Sequence, residues 1–210
     1  MRPTRRAQAA RRCGAVVALA TLGHPGIAWA HIGFAANDLY AGMFHPLLHF
    51  STVLPVFALA LWLARWTPRH LTALAVAYWG AAIAGASAGW WLPVLPVLDD
   101  LLLPLALMVG VLVALDHAPP VWLAAAAAGL IGLVEGLYNV TQVRSEVSDA
   151  VLFSAGLLLV LGLIPLHLTA LLYGRSQLWV TTGKRVVGSW IATAAALVLA
   201  LDWSGAGMPP

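Results

Sequence analysis

After Ala30 the chain is built from six apolar runs, each long enough to cross a bilayer. Between Ala41 and Gln142, Glu135 is the single formal charge that falls inside one of them. A hydrocarbon core about 30 Å thick needs roughly 20 apolar residues per helical crossing. Hydrophobic residues make up 61% of the chain, charged residues 9%, and mean hydropathy is +0.88, so no soluble core could hide this much apolar surface. The expected fold is all-α, a polytopic membrane helix bundle of six spans. They are predicted at Met43–Ala64, Leu71–Gly89, Leu101–Leu115, Val121–Val140, Ala150–Tyr173 and Val186–Trp203. The third is short, and Pro93, Pro96 and Pro104 point to an irregular or partly re-entrant start.

The net charge of +3 does not mark a nucleic-acid partner, because Arg2, Arg5, Arg6, Arg11 and Arg12 all precede residue 13. They introduce an apolar stretch from Cys13 to Leu22, a Gly/Pro break, and Ala28-Trp29-Ala30, which fits a secretory cleavage site. The predicted division is a cleaved signal peptide, 1–30, and a transmembrane domain, 31–210, with an uncleaved first helix as the alternative. Cys13, the sole cysteine, lies in the signal, so a metal in the mature chain would need nitrogen and oxygen ligands.

An external mature terminus puts Arg65, Arg69, Arg175, Lys184 and Arg185 in cytosolic loops and leaves Arg144 outside, as the positive-inside rule requires of a bacterial inner-membrane protein. Asp99, Asp100, Glu146 and Asp149 fall in the opposite loops, and Trp66, Trp90, Trp91, Trp122, Trp179 and Trp203 at span ends. Gly85 with Gly89 and Gly132 with Gly136 are small-xxx-small pairs, read as packing faces for the second and fourth spans.

Polar groups within apolar runs are the functional candidates. His45 and His49 stand four residues apart near the outer end of the first span, which places both imidazoles on one helix face about 6 Å apart along the axis. They could share a divalent transition metal, or one could serve only as a contact between helices. Glu135 needs a proton, a partner or water at its depth, and Tyr138 and Asn139 extend a polar stripe from it. Its alternative role is hydrogen-bonded glue between helices. His49 and Glu135 are expected at similar depths, about 9 and 7 Å below the outer boundary, and His167 at about 25 Å. His167 is then a later station on a path or a buried histidine bonded to a carbonyl. At the terminus, His31 with Asn37 and Asp38 could capture an ion outside, or form a flexible polar end.

Ala30-His31-Ile32-Gly33 followed by Gly42-Met43-Phe44-His45-Pro46 resembles the opening of the HupE/UreJ family, small membrane proteins associated with hydrogenase and urease operons. Leu166-His167 is similar to the family's fifth helix, and Arg185 to Gly188 to the opening of its last. The resemblance implies a permease-like bundle carrying nickel or cobalt inward, with no permanently bound cofactor. It leaves a homo-oligomer or a metalloenzyme-maturation protein as partner beside the lipid bilayer and the ion. The departures fall on the chemistry. Where the family has Gly-x-Asp-His this chain has His49-Phe50-Ser51-Thr52, so Ser51 and Thr52 replace Asp and His. Glu135, Asn139 and Gln142 stand in the fourth span where the family has two histidines and a carboxylate. The expected metal set is His31, His45, His49, Glu135 and His167, supported by Asp38, Ser51, Thr52, Tyr138 and Asn139.

No nucleophile–base pair, phosphate loop or ATPase segment occurs in the sequence. The chain is expected not to be an enzyme, and any transport to be facilitated or ion-coupled. The alternatives are a non-transporting membrane scaffold with a degenerate metal site and a b-type haem protein using His45 or His49 with His167. The signal-peptide reading makes one direct prediction. Protein purified from membranes should start at His31 by amino-terminal sequencing and intact mass, whereas a retained Met1 would establish an uncleaved first helix.

Overall fold

The computed structural model describes residues 37–204, so segment 1–30 and His31 lie outside the described residues. Seven helices follow one another there: α1 (Asp38–Leu48), α2 (Phe50–Leu63), α3 (Pro68–Gly89), α4 (Val97–Ala114), α5 (Val121–Val143), α6 (Ala150–Leu172) and α7 (Leu178–Trp203). Helices α3 to α7 are each long and apolar enough to cross a membrane, whereas α1 and α2 qualify only as a pair, bent by 82° at His49. The described chain is an all-helical, multi-pass membrane bundle.

Three boundaries differ from the sequence expectation. The first run is not a straight span: α1 continues past Pro46 to Leu48, and the chain leaves helical geometry at His49 (φ −108°, ψ 125°). The third starts as a regular helix at Val97, directly after the proline-bearing segment 91–96. Asp99 and Asp100 therefore occupy its first turn, where carboxylates suit the positive end of the helix dipole. The last helix begins at Leu178, not Val186, since no breaker separates the two positions. Its 26 residues extend about 39 Å and carry Lys184 and Arg185 on the helix instead of in a loop.

Helix α2 occupies the middle of the bundle. Every residue from Ala58 to Leu63 is buried, the signature of a helix with neighbours all round. It packs chiefly on α4 and α6, while the most extensive helix pairings of the bundle join α3 to α5, α4 to α7 and α1 to α6. In lipid, association depends on close packing rather than on expulsion of water, so small residues set the distance. The expected pairs Gly85/Gly89 and Gly132/Gly136 do face each other across α3 and α5. A Cβ on Gly132 would collide with the Tyr78 carbonyl, one on Gly136 with the Ala82 carbonyl, and one on Gly85 with the Leu133 carbonyl. Gly42 of α1 and Gly156 of α6 repeat the arrangement against Phe153 and Leu39. Backbones this close also exchange Cα–H···O contacts worth about 0.5–1 kcal/mol each.

Trp66, expected at the membrane boundary, is instead buried against Trp62, at a ring separation of 5.8 Å. Trp91, Trp122, Trp179 and Trp203 are widely exposed at helix ends, as an interfacial belt requires. The packing predicts that Gly136→Leu will destabilise the protein by about 3 kcal/mol or more through forced separation of α3 and α5. At Gly80 an added Cβ meets nothing within 4 Å, and Gly80→Ala should be neutral or stabilising by about 0.5–1 kcal/mol. Denaturation of the two variants in detergent checks the contrast.

Candidate functional site

The break between α1 and α2 organises the polar end of the bundle. A chain that leaves helical geometry inside a membrane bundle must still satisfy its backbone carbonyls. The His49 carbonyl accepts from the N–H groups of Thr52 (3.2 Å) and Val53 (3.1 Å). The fully buried Thr52 hydroxyl is within reach of both the Pro46 carbonyl and, at 2.8 Å, the His49 carbonyl. Thr52 thus stitches the end of α1 to the start of α2. It lies where the resemblance placed a lost histidine, and its contacts are those of a structural clamp.

The bend also sets the two histidines. His45 is 4% exposed, His49 is exposed, and their ring centres are 5.1 Å apart in an edge-on arrangement. The neighbours expected from an unbroken helical turn are therefore brought together across a kink. His45 also stacks toward Phe153 of α6, at 6.1 Å.

His49, but not His45, borders an open pocket of about 290 Å³ whose polar lining is completed by Ser51, Asp99, Tyr138 and Asp202 and whose apolar lining is Phe50, Leu103 and Val198. It joins a wider cleft of about 630 Å³ through Asp99 and Asp202, with Asp100 on its wall. Four elements contribute: the α1–α2 joint, the first turn of α4, the last third of α5 and the end of α7. The Tyr138 side chain shares this pocket with Asp99 and Ser51. Asp99 was legible as a loop carboxylate without a site, and Asp202 was missed altogether. The only cue for Asp202 was an acid at the end of an apolar run, and nothing in the sequence pairs α7 with α4.

Glu135 and Asn139 are both completely buried on α5. The Asn139 side-chain amide donates to the Glu135 carbonyl (2.8 Å) and to Glu135 Oε2 (3.1 Å). Glu135 Oε1 and Asn139 Oδ1 have no hydrogen-bond partner among the described residues. Tyr78, whose hydroxyl donates to the Leu161 carbonyl at 3.0 Å, lies within electrostatic reach of Glu135. An ionised carboxylate in such a place requires a cation or water, since isolated burial costs several kcal/mol.

The remaining expected residues lie apart. Asp38 accepts from the Ser148 hydroxyl (2.6 Å) and the Asp149 N–H, so it ties the start of α1 to the turn before α6. His167 is exposed on α6, its Nδ1 2.8 Å from the Leu163 carbonyl one turn back. Fourteen residues separate it from Phe153, about 21 Å along the helix, so it shares no ligand shell with His45. That distance also separates the histidines invoked for a haem. Among the described residues, no three His, Cys, Asp or Glu side chains converge closely enough to hold a metal ion. His45, His49 and Glu135 are thus not gathered into one first shell here.

The family model described as HupE / UreJ protein matches residues 17–199. The chain belongs to the HupE/UreJ family. It is also similar to Protein HupE of Rhizobium leguminosarum bv. viciae, 27% identical over 184 residues, covering 86% of this chain and 94% of that protein. No solved structure matches it. The match covers α1 to α6 and α7 up to residue 199, so the bent first pair and the pocket's lining other than Asp202 lie within the matched region.

Thr52→Val removes the hydroxyl from two buried carbonyls at the joint and should cost about 1–3 kcal/mol. Thermal unfolding of the detergent-solubilised protein measures it, and Thr52→Ser should recover most of the loss.

Proposed function

We propose that this protein is a permease-like carrier of a divalent transition metal, nickel or cobalt by family resemblance, set in a bacterial inner membrane with the His49 end outward. The observation that carries the reading is the succession of nitrogen and oxygen donors at that end. The open pocket presents His49, Asp99 and Asp202, the buried His45 lies beside His49 at 5.1 Å between ring centres, and Glu135 with Asn139 is fully buried on the same helix as the pocket residue Tyr138. Discontinuous helices whose ends border an ion path are a recurring device of transporters, and the α1–α2 joint is one.

The pocket suits an ion that arrives with its water. Six waters at about 30 Å³ each occupy roughly 180 Å³, within the available 290 Å³. Two carboxylates and an imidazole can hold such a shell through outer hydrogen bonds, without three ligands touching the metal. His45 and Glu135 are the first donors past it. His167 is left out of the path because it sits on the exposed face of α6. The orientation follows from charge: Asp99, Asp100 and Asp202 gather at the His49 end, and Arg65, Lys184 and Arg185 at the other.

A second reading, an accessory membrane protein that does not transport, is favoured by the lack of a converged three-donor group among the described residues. Whole-cell uptake of radioactive nickel and cobalt separates the two. Carrier function predicts initial rates at least tenfold lower for His45→Ala, Asp99→Asn and Glu135→Gln at equal membrane abundance, with His167→Ala near wild type. Accumulation equal in all variants and in cells lacking the protein would establish the accessory reading.

A further inference from the structure

At the end of the bundle opposite His49, a small pocket is walled by α2, α4 and α7 and lined by Arg65, Asp116, Thr181, Lys184 and Arg185 above the apolar Leu61 and Val113. Three cations therefore face one carboxylate. Arg65 and Asp116 form an ion pair at 3.4 Å, and Asp116 reaches that position from a left-handed backbone (φ 52°). Arg185 Nε donates to the Ala114 carbonyl at 2.9 Å, closing the end of α4. The Lys184 ammonium makes no hydrogen bond or ion pair with any described residue, and the residue is partly buried. Two positive charges remain uncompensated at a site that borders hydrocarbon. Other basic residues of this end, Arg69 and Arg175, stand exposed in a first turn and a loop and wall no such pocket.

The surroundings identify the counter-charge. Trp179 is 72% exposed about one and a half turns before the cations, Val187 stands exposed one turn beyond Lys184, and Val186 and Trp190 are exposed further round α7. An exposed Trp marks the headgroup level and the exposed apolar side chains mark acyl chains, so the cations sit where lipid phosphates lie. Guanidinium groups offer paired N–H donors to phosphate oxygens, and an ammonium adds a point charge. From this arrangement we infer that Lys184, Arg185 and Arg65 form a binding site for a phosphate oxyanion, supplied by the headgroup of an anionic phospholipid whose chains lie along α7. The site is independent of the proposed metal path and lies at the other end of the molecule.

The test uses the full-length protein in neutral detergent, titrated with phosphatidylglycerol, phosphatidylcholine or inorganic phosphate, with bound lipid counted by native mass spectrometry and the unfolding midpoint followed. Retention of phosphatidylglycerol at least tenfold over phosphatidylcholine, with a raised midpoint, is the expected result. Lys184→Gln should abolish that preference and Lys184→Arg should restore it. Lys184 is the chosen position because its ammonium makes no intramolecular bond, so the fold is not at stake. A midpoint raised equally by millimolar inorganic phosphate, and lost in Lys184→Gln, would keep the oxyanion site and identify a free anion as its occupant. Equal retention of the two lipids without a phosphate-dependent rise in midpoint, or undiminished phosphatidylglycerol preference in Lys184→Gln, would overturn the site. None of these outcomes bears on metal uptake.

Discussion

The His49 carbonyl is the atom on which the polar end of this bundle depends. A bend of 82° releases helix hydrogen-bonding groups, and at this joint they find their partners within the chain. Two N–H groups and the Thr52 hydroxyl converge on this oxygen, and the same hydroxyl reaches back to Pro46. With the joint closed, α1 is free to lie along α6 while α2 descends through the centre. The His49 imidazole then borders the pocket where α4 starts and α7 stops, while His45 stays buried beside it and Phe153. A straight first helix would have kept His49 on its side, away from Asp99 and Asp202.

The second constraint is the closeness of the helix pairs. Glycine against a carbonyl is the recurring contact, on α3 with α5 and on α1 with α6. This part was legible in the sequence for the second and fourth spans, because four-residue spacing of small residues repeats the same face of a helix. The Gly42–Gly156 contact was not, since each glycine stands alone in its run and only the packed structure shows them opposed. Span number and approximate position were readable from hydrophobicity. The break at His49 and the long start of α7 were not, because hydropathy does not show where an apolar run leaves helical geometry.

The candidate site divides along the same line. Glu135 was conspicuous as a charge inside an apolar run, and it is indeed wholly buried with Asn139 as its hydrogen-bond partner. His45 and His49 were conspicuous by spacing and are neighbours, although a kink rather than a helical turn makes them so. Asp99 and Asp202 stand 103 positions apart in the numbering of the chain and share a pocket only because α4 and α7 pack together. Such a juxtaposition is a property of helix order in space, to which hydropathy and motif spacing are blind. Ser51 and Thr52 seemed equivalent losses beside the family pattern, yet one faces the pocket and the other is committed to the backbone.

Because the joint at residue 49 is secured through its main-chain oxygen, its imidazole carries none of that duty and projects outward. Side-chain chemistry at the mouth can drift from one lineage to another while the architecture beneath stays intact. Position 52 enjoys no such latitude: a hydroxyl there, once acquired, makes the return of a bulky coordinating ring a matter of rebuilding the bend itself.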